Sequence, residues 1–196
     1  MISFLYIILI LFLFKNLRFF ELKGISKVEI IFGICIQFFT SYLLYIVYTQ
    51  YYMERYTADI FKFYDDSLVL HQLFFDKPLD FIKILIGFDI SNDQLLTNSL
   101  IEMNHWDSSY KSSVMNESRL IIKINALLNI IGFKSYVFNM LSFVLIGYLG
   151  KILIVKSLLK KFKLKYPKFL FWSFVLMPSL LIWSSGILKE PLLIFS

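Results

Sequence analysis

The chain has 196 residues, of which 58% are hydrophobic and 19% are aromatic, and its formal net charge is +6. A soluble globular domain is about 45–50% apolar, and a chain of this length has too little interior to bury so large an excess. The composition therefore excludes an ordinary soluble enzyme or a nucleic-acid-binding protein, and it predicts an all-α, polytopic membrane protein. One cysteine cannot form an internal disulfide, and two histidines are too few for a histidine-based metal centre.

Four apolar stretches predict about four transmembrane helices, since a helix needs about 17–25 residues to cross a bilayer. They cover residues 1–14, 30–48, 136–155 and 169–188. The first is short, and it reaches residue 20 only if Lys15 and Arg18 extend to the headgroups. It lacks the basic start and the small-residue cleavage site of a signal peptide, which indicates a retained anchor. Lys151 is expected in the last turn of the third stretch, where a lysine can also reach the headgroups.

The charges predict how these helices are oriented, because short basic loops stay in the cytoplasm. Residues 15–27 carry four basic side chains against one acidic, residues 151–168 carry seven basic side chains, and residues 50–134 carry 11 acidic against 8 basic. We therefore expect two transmembrane helices in 1–49, an extracytoplasmic segment in 50–134, and two more helices in 135–196, in a bacterial inner membrane. The basic residues then serve to orient the chain, and no nucleic-acid partner is expected.

The first helix predicted in the external segment covers residues 58–75 and is acidic on one side. Thr57 can cap it, and Asp59 and Asp66 recur at a spacing of seven residues, which places them on one face. With Asp65 beside them, these carboxylates could serve as an external acid, base or metal ligand near the membrane. The alternative is a solvated, salt-bridged face in which Asp59 only complements the helix N-terminus.

Two more helices are predicted in the same segment. Pro78 begins a short one that Gly87 ends, and its apolar stripe suits a helix lying on the bilayer surface. The other covers residues 116–132, with an apolar face and with Arg119 and Lys123 together on the opposite face. These two cations could bind a lipid phosphate or pyrophosphate, or they could only anchor an interfacial helix.

The polar stretch between the second and third of these helices contains His105, Trp106 and Asp107. An indole ring can stack on the face of a sugar or lie at a membrane interface, which makes His105 and Trp106 candidate substrate contacts. Ordinary packing within a loop is the alternative, because a single His–Asp pair is a weak signal.

The layout resembles the N-terminal portion of the GT-C type of polytopic membrane glycosyltransferases, which take a sugar from a lipid-linked donor. The resemblance covers roughly residues 29–196. Its motifs are Thr57-Ala58-Asp59 with Tyr64 after a span, the run that begins at Lys123, and Met177-Pro178-Ser179 followed by Trp183-Ser184-Ser185-Gly186 and Lys189-Glu190. The last of these is also similar to a signature in bacterial inner-membrane proteins of polysaccharide-biosynthesis neighbourhoods.

The resemblance implies that Asp59 is the catalytic carboxylate, with Asp65 and Asp66 as neighbouring acidic residues. It also implies membrane lipids and a polyprenyl-phosphate-linked sugar as partners, with Arg119 and Lys123 at the phosphate, and it leaves open whether a divalent metal takes part. Two features depart from the family, since an extra apolar segment precedes its first span and the chain is shorter than the whole fold. A new apolar run after Pro191 adds to the expectation of a fragment.

Two other functions stay open at this point. One is a transporter or polysaccharide-export component, and the other is a non-catalytic membrane scaffold whose external segment binds a partner. Transporters place ionisable groups near the middle of the membrane, whereas the confident spans here hold only Lys151 near one end. That placement weakens the transporter interpretation.

Overall fold

The computed structural model describes residues 2–52, 55, 58–87, 100, 103, 105–106, 117–162 and 165–196, and the side chains of Asp59 and Glu117 lie outside this description. Within these residues the secondary structure is helical, apart from an isolated bridge between Leu22 and Ile25. The chain divides into two compact units. The first unit consists of Met1–Tyr51 and Met140–Ser196, and the second unit is Tyr52–Asn139.

The helices follow one another with short connections. In chain order they are α1 (Ile2–Asn16), a 3-10 turn (Arg18–Phe20), α2 (Lys27–Gln50), α3 (Asp59–Asp76), α4 (Pro78–Ile86), α5 (Glu117–Gly132), α6 (Tyr136–Lys161), α7 (Pro167–Leu176), α8 (Pro178–Trp183) and α9 (Glu190–Phe195). The all-α prediction is confirmed for the described part of the chain.

Two of these helices, α2 and α6, are long and apolar enough to cross a membrane, judged by length and composition. They have 24 and 26 residues and mean hydropathies of 2.1 and 1.9. At a rise of about 1.5 Å per residue they extend over about 36 and 39 Å, more than the roughly 30 Å of a hydrocarbon core. The helix α1 has 15 residues, so the first predicted span is present as a shorter apolar helix.

The fourth predicted span, residues 169–188, is wrong as a single helix. The helix α7 ends at Leu176, α8 begins at Pro178, and α8 ends at Trp183. Pro178 has no N–H to donate and disfavours a helical conformation at the residue before it. Met177 accordingly has ψ 117°, outside the helical region, and the helix breaks there.

Contacts in the first unit show which helices run in the same direction. Tyr6, Phe14 and Phe19 contact Ser142, Tyr148 and Lys156, in that order. Glu29, Phe32 and Gln37 contact Lys168, Trp172 and Leu181, again in that order. Because both sets of numbers rise together, α1 is parallel to α6, and α2 is parallel to the pair α7 and α8.

The two basic loops meet at one end of the first unit. The ammonium group of Lys156 donates a hydrogen bond of 2.9 Å to the carbonyl of Phe19, and Lys168 forms an ion pair of 3.2 Å with Glu29. Gly24 lies so close to Pro167 that a Cβ added to it would be 2.6 Å from the proline ring. The loops after α1 and after α6 therefore lie side by side at this basic end.

The second unit is built around α3, which packs against α4 and α5. Its three helices confirm the predictions for residues 58–75, 78–87 and 116–132 to within about a residue at each described boundary. Gly87 ends α4 with φ 89°, a left-handed conformation that glycine adopts without strain. Thr57 and Asn116, the expected N-caps, lie outside the described residues.

Burial along α5 differs from the expectation from its sequence. Arg119 and Lys123 were expected on an exposed polar face, but they are 2% and 5% exposed. Leu127 and Ile131, from the apolar face, are 45% and 63% exposed. The expectation of an interfacial helix held by its cations is therefore wrong for these two side chains, which point into the second unit.

Candidate functional site

Asp66 is the most buried carboxylate among the candidates whose side chains are described. It lies on α3 with 3% of its surface exposed. The backbone N–H of His105 donates a hydrogen bond of 2.7 Å to its Oδ2, and Nδ1 of the same histidine is 3.4 Å from that oxygen. A hydrogen bond to an ionised carboxylate is stronger than one to a neutral acceptor, so this contact fixes both the aspartate and the loop.

Trp106, the next residue along the chain, contacts two cations of α5. The guanidinium carbon of Arg119 is 5.0 Å from the centre of the indole ring, and the ammonium nitrogen of Lys123 is 6.0 Å from it. Both distances are within the range in which a cation is attracted to the face of an aromatic ring. Lys123 also donates a hydrogen bond of 3.3 Å to the carbonyl of Leu85 on α4.

These five residues form one site in the second unit, which we call the Trp106 cluster. It consists of Asp66, His105, Trp106, Arg119 and Lys123. The dipeptide His105–Trp106 connects the carboxylate with the two cations. His105 contacts Asp66, and Trp106 contacts both cations. The structure thus brings together five of the seven residues that the sequence singled out.

The two cations of the cluster are both buried. Burial lowers the pKa of Lys123 below its ordinary value of 10.5, and the positive charge of Arg119 lowers it further. Two cations one helical turn apart repel each other, and burial removes the water that would screen them. Carboxylate and phosphate groups are the anions that arginine and lysine bind.

The remaining two carboxylate predictions have different outcomes. Asp65 forms a bidentate ion pair with Arg55 outside the cluster. The Nη2 and Nε atoms of the arginine donate to its two carboxylate oxygens, at 2.8 and 2.9 Å. Both side chains are substantially exposed, so Asp65 belongs to a solvated, salt-bridged face. Asp59 is the first residue of α3, and its side chain lies outside the described residues, as does Asp107.

The second unit also contains a network of hydrogen-bonded polar side chains that was not predicted from the sequence. Asn139 donates hydrogen bonds to the side-chain oxygens of Asn125 and Asn129, at 3.0 and 2.9 Å. Asn129 in turn donates one of 2.9 Å to Ser67, the residue after Asp66. The four-residue spacing of Asn125 and Asn129 on a helix was the available signal, since it places two amides on one face. The network fixes α5 against α3 close to the carboxylate.

The described residues contain no group of three or more side chains that could together hold a metal ion. Whether a divalent metal takes part in a reaction therefore depends on the donor substrate. No family model matches the chain, and no curated protein and no solved structure is significantly similar to it. The cluster itself holds a carboxylate, two cations and an indole ring, and Trp106 is 7% exposed with its ring in contact with both cations.

Proposed function

We propose that this chain is part of a multi-pass membrane glycosyltransferase that takes a sugar from a polyprenyl-phosphate donor for cell-envelope glycan synthesis. The observation that carries the proposal is the Trp106 cluster. A glycosyl transfer from a lipid phosphate needs a carboxylate near the acceptor, positive charge at the leaving phosphate, and a surface for the sugar. The cluster supplies each of these in one unit of a chain that has membrane-length helices.

The chemical step assigns a role to each residue. The acceptor hydroxyl attacks the anomeric carbon, the bond from that carbon to the phosphate oxygen breaks, and the phosphate leaves with the bonding electrons. A carboxylate accepts the hydroxyl proton, and we assign this role to Asp66, or to Asp59 as the resemblance implies. Arg119 and Lys123 offset the charge on the departing phosphate, and Trp106 stacks on the sugar ring.

The proposal includes four membrane passages, with residues 50–134 outside a bacterial inner membrane. The parallel directions of α1 with α6, and of α2 with α7 and α8, support this arrangement, because alternate passages of a membrane protein run in the same direction. The meeting of the two basic loops at one end of the first unit supports it as well, since both are then cytoplasmic. The fourth passage is made by the broken pair α7 and α8 in place of one continuous helix.

The test replaces each carboxylate in cells that depend on this gene for surface glycan. We expect Asp66→Asn or Asp59→Asn to lower the transfer of radiolabel from the polyprenyl-phosphate sugar pool into surface glycan by at least 100-fold. Asparagine keeps the shape and one acceptor oxygen, so the loss reports the charge. Asp65→Asn is the matched control, and it should retain activity within about twofold because Asp65 belongs to the exposed ion pair with Arg55.

Two outcomes contradict the proposal. Normal glycan with both Asp59→Asn and Asp66→Asn would remove the catalytic carboxylate and favour a non-catalytic scaffold. Equal losses with Asp65→Asn would show that the changes act through folding or assembly. Immunoblotting of membrane fractions for each variant separates loss of protein from loss of activity.

A further inference from the structure

A buried lysine lies in the middle of a membrane-length helix. Lys151 is the sixteenth residue of the 26 in α6 and is 1% exposed, so the expectation that it sits in a last turn and reaches the headgroups is wrong. Its ammonium group donates a hydrogen bond of 2.7 Å to Oε1 of Gln37 in α2. Gln37 is itself fully buried.

The amide of Gln37 connects this lysine to the segment that follows α8. Its Nε2 donates hydrogen bonds of 3.0 Å to the hydroxyl of Ser184 and 2.6 Å to that of Ser185. Both serines are completely buried. Four buried polar side chains from three parts of the first unit therefore meet at one place.

The chain is not helical where it meets this polar group. Residues 184–189 separate α8 from α9, and the residues from Ser184 to Leu188 are buried. Within the part of the chain that the structure describes, the backbone N–H groups of Gly186, Ile187 and Leu188 donate no hydrogen bond to a backbone carbonyl. Buried backbone N–H groups are almost always paired, and an irregular backbone at membrane depth is found where it lines a site or is buried in protein.

The positive charge of Lys151 is also not compensated by the described part of the chain. No carboxylate there forms an ion pair with it, and its partner Gln37 is neutral. The ammonium group has one neutral acceptor, and Ser185, which accepts from the same glutamine, is followed by three residues whose N–H groups donate to no backbone carbonyl. Successive backbone N–H groups and lysine are the groups with which proteins bind anions.

We propose that Lys151, Gln37 and the segment 184–188 form an intramembrane binding site for a small oxyanion, a phosphate or a carboxylate. The depth of Gln37 distinguishes this ligand from a lipid headgroup. It lies ten residues from the start of α2 and thirteen from its end, which is about 15 and 20 Å along the helix axis. A headgroup stays at the bilayer surface, so the site takes an anion that enters from water.

This site rests on the membrane passages of the proposed function but not on the Trp106 cluster, because its residues belong to the first unit and that cluster belongs to the second. A broken helix with an ionisable residue packed against it is the arrangement by which transporters bind charged substrates near the middle of the membrane. The sequence argued against a transport or export function because Lys151 was expected near one end of its span. Its buried position in the middle of α6 removes that argument.

The experiment follows thermal unfolding of the full chain in lipid nanodiscs as sodium phosphate or sodium acetate is added, at an ionic strength held constant with a bulky sulfonate. An anion that binds the folded state raises the unfolding temperature in a saturable way. We expect saturable stabilisation of the wild-type chain by at least one of the two anions. In Lys151→Met the apparent dissociation constant should rise at least tenfold.

The matched control is Lys160→Met, which removes an exposed lysine of the same helix and should behave like the wild type. Because phosphate could also bind the Trp106 cluster, the comparison is repeated in a Lys123→Gln background, where the effect of Lys151→Met should persist. A wild-type chain that neither anion stabilises saturably overturns the proposal. The proposal is also overturned if Lys151→Met leaves the binding curve unchanged, and neither result affects the role assigned to Asp66.

Discussion

The backbone N–H of His105 donates a hydrogen bond of 2.7 Å to Oδ2 of Asp66, although the two residues are 39 positions apart in the chain. This contact places the dipeptide His105–Trp106 against α3. The same dipeptide contacts Arg119 on α5 through the indole ring. A single buried carboxylate thus holds the loop that carries the aromatic member of the cluster.

The first prediction follows from this contact. We expect Asp66→Ala to lower the free energy of unfolding by about 1.5–3 kcal/mol, the usual contribution of a hydrogen bond to a charged group. Asp65→Ala should cost only about 0.2–1 kcal/mol, because its ion pair with Arg55 is exposed to water. Chemical denaturation of the detergent-solubilised chain measures both, and equal costs would contradict the structural role given to Asp66.

The second prediction concerns pH. Burial and the charge of Arg119 lower the pKa of Lys123, so this lysine loses its proton at a lower pH than an ordinary lysine. Binding of inorganic phosphate should therefore weaken as the pH rises through that lowered pKa. Trp106 fluorescence reports the binding if Trp172 and Trp183 are replaced by phenylalanine.

The control for this pH dependence is Lys123→Arg. Arginine stays protonated over the whole accessible range, so the decline attributed to Lys123 should disappear while binding at neutral pH persists. A decline of the same size and midpoint in this variant would assign the titration to another group. Lys123→Gln should weaken binding below that lowered pKa, where the lysine is charged.

How far the sequence predicted the fold can be judged from particular residues. Pro78, Gly87 and Gly132 marked helix boundaries correctly, because they act through their own backbone geometry. The burial of Lys151 was not predicted, because it depends on a break at Pro178 that directs Ser184 and Ser185 toward Gln37. Tertiary contacts of this kind leave no local pattern in the sequence.

The candidate site shows the same limit. The residue types of the Trp106 cluster were recognised from their chemistry, but the sequence ranked Asp59 above Asp66 because it relied on the position of a motif. The burial of Arg119 and Lys123 could not be read from the periodicity of α5, since the pattern gives two faces and does not say what packs against the polar one.

The third prediction tests the polar contact inside the first unit. We expect Gln37→Leu to destabilise the chain by about 1.5–3 kcal/mol, because the ammonium group of Lys151 loses its acceptor while it remains buried. The double variant Gln37→Leu with Lys151→Met should recover part of that loss, since two apolar side chains then face each other. Additive effects in this double-mutant cycle would show that the two residues do not interact.

The fourth prediction uses the glycines of α6. A Cβ at Gly150 would lie 2.5 Å from the carbonyl oxygen of Ile194 and 2.7 Å from the backbone nitrogen of Phe195, so α9 would have to move. We expect Gly150→Ala to cost about 1–3 kcal/mol in thermal unfolding of the full chain, as overpacking does. Gly147→Ala is the milder control, because its nearest neighbour would be the Cβ of Ser184 at 3.1 Å.

The fifth prediction tests the orientation of the chain. In a Cys35→Ser background, single cysteines replace Lys23, Lys161 or Gln72, which are all exposed. The structure brings the loops that contain Lys23 and Lys161 to the same end of the first unit, so both should be protected from a membrane-impermeant thiol reagent added to intact cells. Gln72, on the second unit, should react, and all three should react after the cells are opened.

Labelling of Lys23→Cys without Lys161→Cys would contradict the parallel course of α1 and α6 through the membrane. Protection of Gln72→Cys together with the other two would place the Trp106 cluster on the cytoplasmic side, where the external glycosyl transfer could not take place.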